Sequence, residues 1–253
     1  MNITDAIRNT KRAIIPYVTA GLPDIETTGK IIKALSDAGV AAIEIGIPFS
    51  DPMADGPVLQ KASKMALDAG FKMAALFEHL PEWSATVSIP LIVMSYINPL
   101  MHRGIEATLK KLKTSGIAGV IIPDEPSDAA ELFKMTQSAG LDLIRLVAPT
   151  TALERKKEIL SQCRGFIYAV TVKGVTGVRK ALPEEVQAQV AQLRLLSDLP
   201  VCVGFGVSSK EQVDGILRFA DGVIIGSYLM ERIMNSDNAV KEAGELMKGF
   251  ARI

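Results

Sequence analysis

The sequence predicts a (β/α)8 TIM barrel, and three observations carry that expectation. Short β-rich runs recur at 14–19, 41–47, 90–96, 119–123, 143–148, 166–172, 200–204 and 222–226. Nearly all are continuously apolar rather than alternating, which suits parallel strands buried on both faces beneath helices. Helical patterns fill the intervals, and no linker or low-complexity segment divides the 253 residues. About eight strand-helix units in one unbroken chain fit a closed barrel better than a sandwich or a bundle. An open doubly wound sheet is the structural alternative. Residues 1–253 are therefore expected to form a single barrel domain.

Taken in order, the first run carries Tyr17 and leads into a helical pattern at 25–38. The second holds Glu44. The third ends at Tyr96, and the helix at 105–115 that follows is stopped by Gly116. The fourth ends just before Asp124, and Ser127 is placed to cap a helix at 128–139 that Gly140 terminates. Helices at 153–162, 184–196 and 208–219 separate the later runs, of which the sixth bears Tyr168 and Thr171. Barrel active sites gather at the carboxyl ends of the strands. Glu44, Tyr96, Asp124, Tyr168 and Thr171 all fall near such ends.

Composition narrows the function. Hydrophobic residues make up 48% of the chain, ample for a large core, and Lys+Arg 28 balance Asp+Glu 28. A chain without net charge lacks the electrostatic footprint of nucleic-acid binding, so a small neutral or anionic metabolite is expected instead. Cys163 and Cys202 are far apart in sequence, which argues against a disulfide framework and against structural zinc. His79 and His102 do not pair, so no metal site is expected. The first residues lack the basic start and apolar run of a signal peptide, and no stretch approaches the roughly 20 apolar residues of a membrane span. A cytoplasmic protein is expected.

The chemistry concentrates in Ile43-Glu44-Ile45-Gly46-Ile47-Pro48-Phe49-Ser50-Asp51-Pro52-Met53-Ala54-Asp55-Gly56-Pro57. Glu44 has isoleucine on both sides, so desolvation should raise its pKa towards the range useful to a general acid or base. A structural hydrogen bond is the blander role for such a residue. Asp51 and Asp55 sit among turn formers, where carboxylates often cap backbone turns. A second signal is three glycine clusters after late strands: Gly174-Val175-Thr176-Gly177, Gly204-Phe205-Gly206 and Gly226-Ser227. Glycine admits close backbone approach, and amides at a helix start suit phosphate. Barrels often bind phosphate through the loops after strands 7 and 8 and a short extra helix, which 227–233 is placed to supply. Gly204-x-Gly206-x-x-Ser209 lacks the last glycine of a dinucleotide fingerprint and comes too late in the chain.

With acid strand, aspartate loop and late glycines in place, the chain resembles the tryptophan synthase α subunit family along essentially its whole length. Residues 43–60 look like that family's signature. Pro16-Tyr17-Val18-Thr19-Ala20-Gly21, Tyr168 with Gly174 to Gly177, Gly204-Phe205-Gly206, and Asp221-Gly222 with Gly226-Ser227 match its other blocks in order. The resemblance implies that Glu44 and Asp55 are the catalytic pair in a retro-aldol cleavage of indole-3-glycerol phosphate to indole and glyceraldehyde 3-phosphate. Tyr17, Met94, Tyr96, Ile121, Val147, Tyr168 and Phe205 match positions lining the indole pocket or the adjoining site. Thr176, Gly177, Gly206, Gly226 and Ser227 match the phosphate side. Thr171 stands where serine is common in the family, Val172 where arginine is common, and Lys173 adds a basic residue beside it.

No cofactor or metal is expected on this chain. The resemblance names the partner as a pyridoxal-phosphate-dependent β subunit in an α2β2 assembly, and docking is expected on the strand-end face through the segment after Glu44, Asn98-Pro99 and Asp124 to Ser127. Rival readings are a Schiff-base aldolase with Lys173 as nucleophile, a stand-alone indole-releasing lyase, and a subunit that only activates its partner. A lysine nucleophile needs desolvation or a neighbouring cation, which a loop lysine followed by Gly174 does not have.

Overall fold

In the computed structural model, residues 2–102, 104–125, 129–171, 184–204 and 206–252 are described. Eight parallel strands close in sequence order: β1 (Ala13–Thr19), β2 (Ile43–Gly46), β3 (Leu91–Met94), β4 (Gly119–Ile121), β5 (Asp142–Val147), β6 (Ile167–Val170), β7 (Val201–Gly204) and β8 (Gly222–Ile225). The last pairs with the first through Ala13↔Gly222 to Pro16↔Ile225, so the expected barrel stands and the open sheet does not.

Helix α1 (Ile3–Asn9) precedes the barrel, and α2 (Ile25–Asp37) is the first crossover, capped by the Asp24 side chain accepting from the Thr27 N–H at 2.7 Å. Two helices, α3 (Pro57–Asp68) and α4 (Met73–Thr86), connect β2 to β3. Pro57 begins α3, where its missing N–H and fixed φ suit the first turn. The chain continues through α5 (Ile97–Met101), α6 (Ile105–Thr114), α7 (Ala129–Ala139), α8 (Leu153–Ser161), α9 (Glu184–Leu196), α10 (Lys210–Ile216), α11 (Ser227–Met234) and α12 (Ala239–Ala251). The third run is shorter than expected because Tyr96 leaves the sheet to become the N-cap of α5. Ser127 and Asp128, the expected start of α7, lie outside the described residues.

The core has two layers. Inside the barrel, Ile15, Ile92, Ile121, Ile144, Phe166, Cys202 and Ile224 pack together with Ile3 and Ile7 of α1, which thereby closes the amino end. Outside it, Val18, Ile43, Ile45, Leu91, Val93, Val120 and Leu143 pack against the helices. Because side chains alternate across a strand, Ile43 and Ile45 point outward and Glu44 between them points into the barrel. Both cysteines are buried and free. Asp221, part of a matched block, is structural: its carboxylate accepts from the Val201 N–H at 2.8 Å and from Arg194 at 2.8 Å.

Candidate active site

Glu44 faces Tyr17 across the β1–β2 pair and Ile92 across β2–β3. Its residue is 0% exposed, and neither carboxyl oxygen has a hydrogen-bond partner among the described residues. An unpartnered neutral carboxyl in this setting costs about 1–3 kcal/mol, and the ionised form considerably more. Burial accordingly pushes its pKa up to about 8. Glu44 is therefore mostly protonated at neutral pH, as a general acid must be before it acts.

Asp55 lies in the loop between β2 and α3 and is 5% exposed, whereas Asp51 in the same loop is exposed and bonded locally to Ser50. Only Asp55 turns into the mouth of the barrel. Its loop is held by Tyr96, whose hydroxyl oxygen accepts from the Ala54 N–H at 2.9 Å and is also hydrogen-bonded to the Asp55 carboxylate. Desolvation and then the charge of Asp55 raise the Tyr96 pKa well above the usual phenol range. Phe49 of the same loop packs against the Tyr96 ring at 5.3 Å between centroids. Tyr96, expected to line the indole pocket or the adjoining site, thus also holds the loop that carries Asp55.

Tyr17 and Tyr168 complete the mouth. Burial and then Asp55 raise the Tyr17 pKa; burial, then Glu44 and then Asp55, raise that of Tyr168. These couplings place Tyr17, Glu44, Asp55, Tyr96 and Tyr168 around one space. Each inner tyrosine lies over a glycine of a neighbouring strand. A Cβ at Gly46 would come within 1.9 Å of the Tyr17 hydroxyl oxygen, and one at Gly204 within 2.7 Å of the Tyr168 ring. Any larger residue would displace these rings. Met94, Ile121 and Val147 sit at the strand ends as expected, with Ile121 in the inner core layer.

On the phosphate side, Gly226 is the N-cap of α11 and Ser227 its first residue, which supplies the expected short extra helix. The first turn of α11 contains no acidic residue, so its free amides meet no local negative charge. Gly226 borders Tyr17, whose Cβ would be 3.4 Å from an added Cβ there. Gly206 has φ 59 and open space beside it. Thr176, Gly177, Phe205 and Lys173 lie outside the described residues.

Sequence reasoning missed Thr19 as a site residue. It stands two residues beyond Tyr17 on the same face, is buried, and its side chain meets that of Tyr17. Gln189 was missed as well: from α9 its amide donates to the Val147 carbonyl at 2.9 Å and steadies the end of β5. Its signal in sequence is only a glutamine on a helix. Among the described residues no three His, Cys, Asp or Glu side chains form a metal-binding group, and no helix is long and apolar enough to cross a membrane.

The model of the tryptophan synthase alpha chain family matches residues 3–251. The chain is 42% identical to the tryptophan synthase alpha chain of Petrotoga mobilis over 252 residues, covering 99% of this chain and 96% of that one. It is 42% identical to that of Bacillus cereus over 234 residues, covering 92% and 91%. The fold superposes on the tryptophan synthase A-subunit of Pyrococcus furiosus with TM-score 0.88 at 34% identity, covering 95% of this chain and 98% of that chain. Aminoacrylate-bound tryptophan synthase from M. tuberculosis gives TM-score 0.88 at 29% identity, covering 98% and 97%. Together with the acid strand, the tyrosine-held aspartate and the helix start at Gly226-Ser227, these relationships show that the chain belongs to the tryptophan synthase alpha chain family.

Proposed function

We propose that Glu44 and Asp55 carry out the alpha-chain lyase reaction, the retro-aldol cleavage of indole-3-glycerol phosphate to indole and glyceraldehyde 3-phosphate. The observation that carries this reading is the unpartnered Glu44 carboxyl, held neutral inside the barrel beside a second acid that a tyrosine fixes in place. Glu44 donates its proton to indole C3, which turns the ring into an iminium. The indole N–H becomes more acidic, and Asp55 accepts its hydrogen bond, placing negative charge where positive charge develops. Glu44, now a carboxylate, removes the proton from the side-chain hydroxyl next to C3. The oxygen lone pair forms the aldehyde, the carbon–carbon bond breaks, and its electrons return to the ring. Glu44 ends protonated, so the step consumes no water and needs no external acid.

Tyr17 and Tyr168 supply apolar faces for the indole, and the family resemblance assigns Phe205 to the indole pocket or the adjoining site. The amides at Gly226 and Ser227, with Gly206, Gly177 and Thr176, hold the phosphate, as anions favour the start of a helix. Indole is its own electron sink once C3 is protonated, so no imine is required. The family relationship likewise favours the alpha-chain role over an aldolase acting through Lys173.

Indole is small, apolar and uncharged, and escapes by diffusion unless its source opens onto its consumer. We infer that this chain works with a tryptophan synthase β subunit in an α2β2 assembly, the β subunit carrying pyridoxal phosphate. The partner docks on the strand-end face near 48–57, Asn98-Pro99 and Asp124, and favours an ordered active site. The test is indole release from indole-3-glycerol phosphate by the purified chain, alone and mixed with the matching β subunit. Release that accelerates on mixing is expected. No release in either case contradicts the lyase assignment, and equal rates contradict the coupling.

A further inference from the structure

The fifth strand and the turn after the fourth bear polar side chains that the lyase chemistry does not use. Arg145 stands on the outer face of β5 and is 1% exposed as a residue. Each of its three guanidinium nitrogens donates to a neighbour: Nε to Glu125 Oε1 at 2.8 Å, Nη2 to the same oxygen, and Nη1 to Gln162 Oε1 at 2.7 Å. Glu125 belongs to the turn after β4, closed by its N–H donating to the Ile122 carbonyl at 3.3 Å. Burial raises the Glu125 pKa and the Arg145 charge opposes that rise.

The same turn reaches forward through its other acid. Asp124 Oδ1 accepts from the Ile97 N–H at 2.8 Å, across from the fourth strand end to the start of α5. Ile97 follows Tyr96 directly, and Tyr96 is the residue whose hydroxyl holds Ala54 and Asp55. A continuous path therefore runs from Arg145 through Glu125, the turn, Asp124, the first amide of α5 and Tyr96 to the Asp55 carboxylate. Each link is a hydrogen bond or a peptide bond. The amide of Ile97 has no acceptor within its own short helix, since the first amides of a helix never do. Asp124 supplies one and so fixes where Tyr96 leaves the sheet.

We propose that Asp124, anchored by the ion pair of buried Arg145 with partly buried Glu125, is a positioning residue for Asp55. This rests on the reading of Asp55 as a catalytic residue given above. Asp55 acts on charge that appears only in the transition state, and small misplacements of such a group lower turnover rather than substrate binding. Without the Asp124 acceptor, the start of α5 shifts, the Tyr96 hydroxyl moves with it, and Asp55 is held less well. The Arg145–Glu125 pair sets the position of the turn from behind. Removing one member strands a buried charge, whereas replacing both by apolar residues of similar size keeps the fold.

The test is steady-state indole release by Asp124→Ala, Asp124→Asn, Tyr96→Phe and the double variant Asp124→Ala/Tyr96→Phe. Asp124→Ala is expected to lower kcat roughly 10- to 100-fold with KM changed less than about threefold. Asp124→Asn, whose amide oxygen still accepts, should recover most of kcat. Because both residues act on Asp55 through one path, the double variant should be no slower than the slower single variant. Arg145→Met/Glu125→Leu, which avoids a stranded charge, should lower kcat in the same direction with KM unchanged. Multiplicative losses in the double variant, a normal kcat in Asp124→Ala, or a normal kcat in Arg145→Met/Glu125→Leu overturns the proposal. If Asp124→Ala does not fold, the Arg145→Met/Glu125→Leu result decides alone. Asp55→Asn in the same assay separates the two readings: near-normal turnover there removes Asp55 itself from catalysis, whereas strong loss there with unaffected Asp124 and Arg145–Glu125 variants refutes only the positioning path.

Discussion

Glu44 is fixed by a strand, with outward-facing isoleucines on either side and no hydrogen-bond partner among the described residues, while Asp55 sits in a loop whose rigidity comes from Tyr96. The two acids share one mouth and are both buried, yet one lacks a hydrogen-bond partner among the described residues and the other is held by a tyrosine. The barrel interior withholds water and opposite charge from Glu44, so the carboxyl keeps its proton to about pH 8. Tyr96 donates to the Asp55 carboxylate and holds it at the mouth. Acid–base chemistry at neutral pH needs such a divided pair, one group ready to give a proton and one ready to meet positive charge. A strand is suited to isolate a carboxyl, and a loop to bring one over the substrate.

The contrast predicts unequal consequences for isosteric changes. Glu44→Gln removes both proton transfers and should lower indole release by roughly 10²-fold or more with the fold intact. Asp55→Asn leaves the general acid in place and removes only charge stabilisation, so a loss of about 10²-fold is expected, no greater than that of Glu44→Gln. Assays of both folded variants under saturating indole-3-glycerol phosphate check this. Near-normal turnover in either case removes that residue from the pair.

A smaller effect should appear in stability. The folded pKa of Glu44 lies above its unfolded value, so below about pH 4.5 both states hold the proton and Glu44 contributes no pH dependence. Between 4.5 and about 8 the unfolded chain has released a proton that the folded chain retains, so stability falls as pH rises through this window. Glu44→Gln has no such group. Its stability relative to the parent should therefore rise across the window, by on the order of a few kcal/mol, and level off above it. Urea unfolding of both proteins at several pH values measures the difference. A difference independent of pH contradicts the raised pKa.

Much of this was legible in the sequence, for identifiable reasons. Continuous apolar runs reveal strands buried on both faces, and the isoleucines around Glu44 reveal its desolvation without any structure. Gly226-Ser227 announces the short α11 through local rules alone. The contents of the mouth depended on which side chains meet across strands. That Tyr17 lies over Gly46, and Tyr168 over Gly204, follows from pairing between distant segments. The hold of Tyr96 on the Asp55 loop was hidden for the same reason: the two are far apart in sequence. Asp124 showed only its place at a strand end, and Arg145 and Glu125 left no local signal, because a charged residue shows its purpose only once its partners are known. Asp51 and Asp55 also looked alike, and only the closed barrel separates the exposed turn residue from the buried one.

The most direct measurement is a carbon-13 NMR titration of the Glu44 carboxyl in the free protein, assigned by the resonance missing from Glu44→Gln. A midpoint near pH 8 is predicted, as burial without a partner requires. A midpoint near 4.5, the value of an ordinary glutamate, would contradict a proton held ready inside the barrel for indole C3.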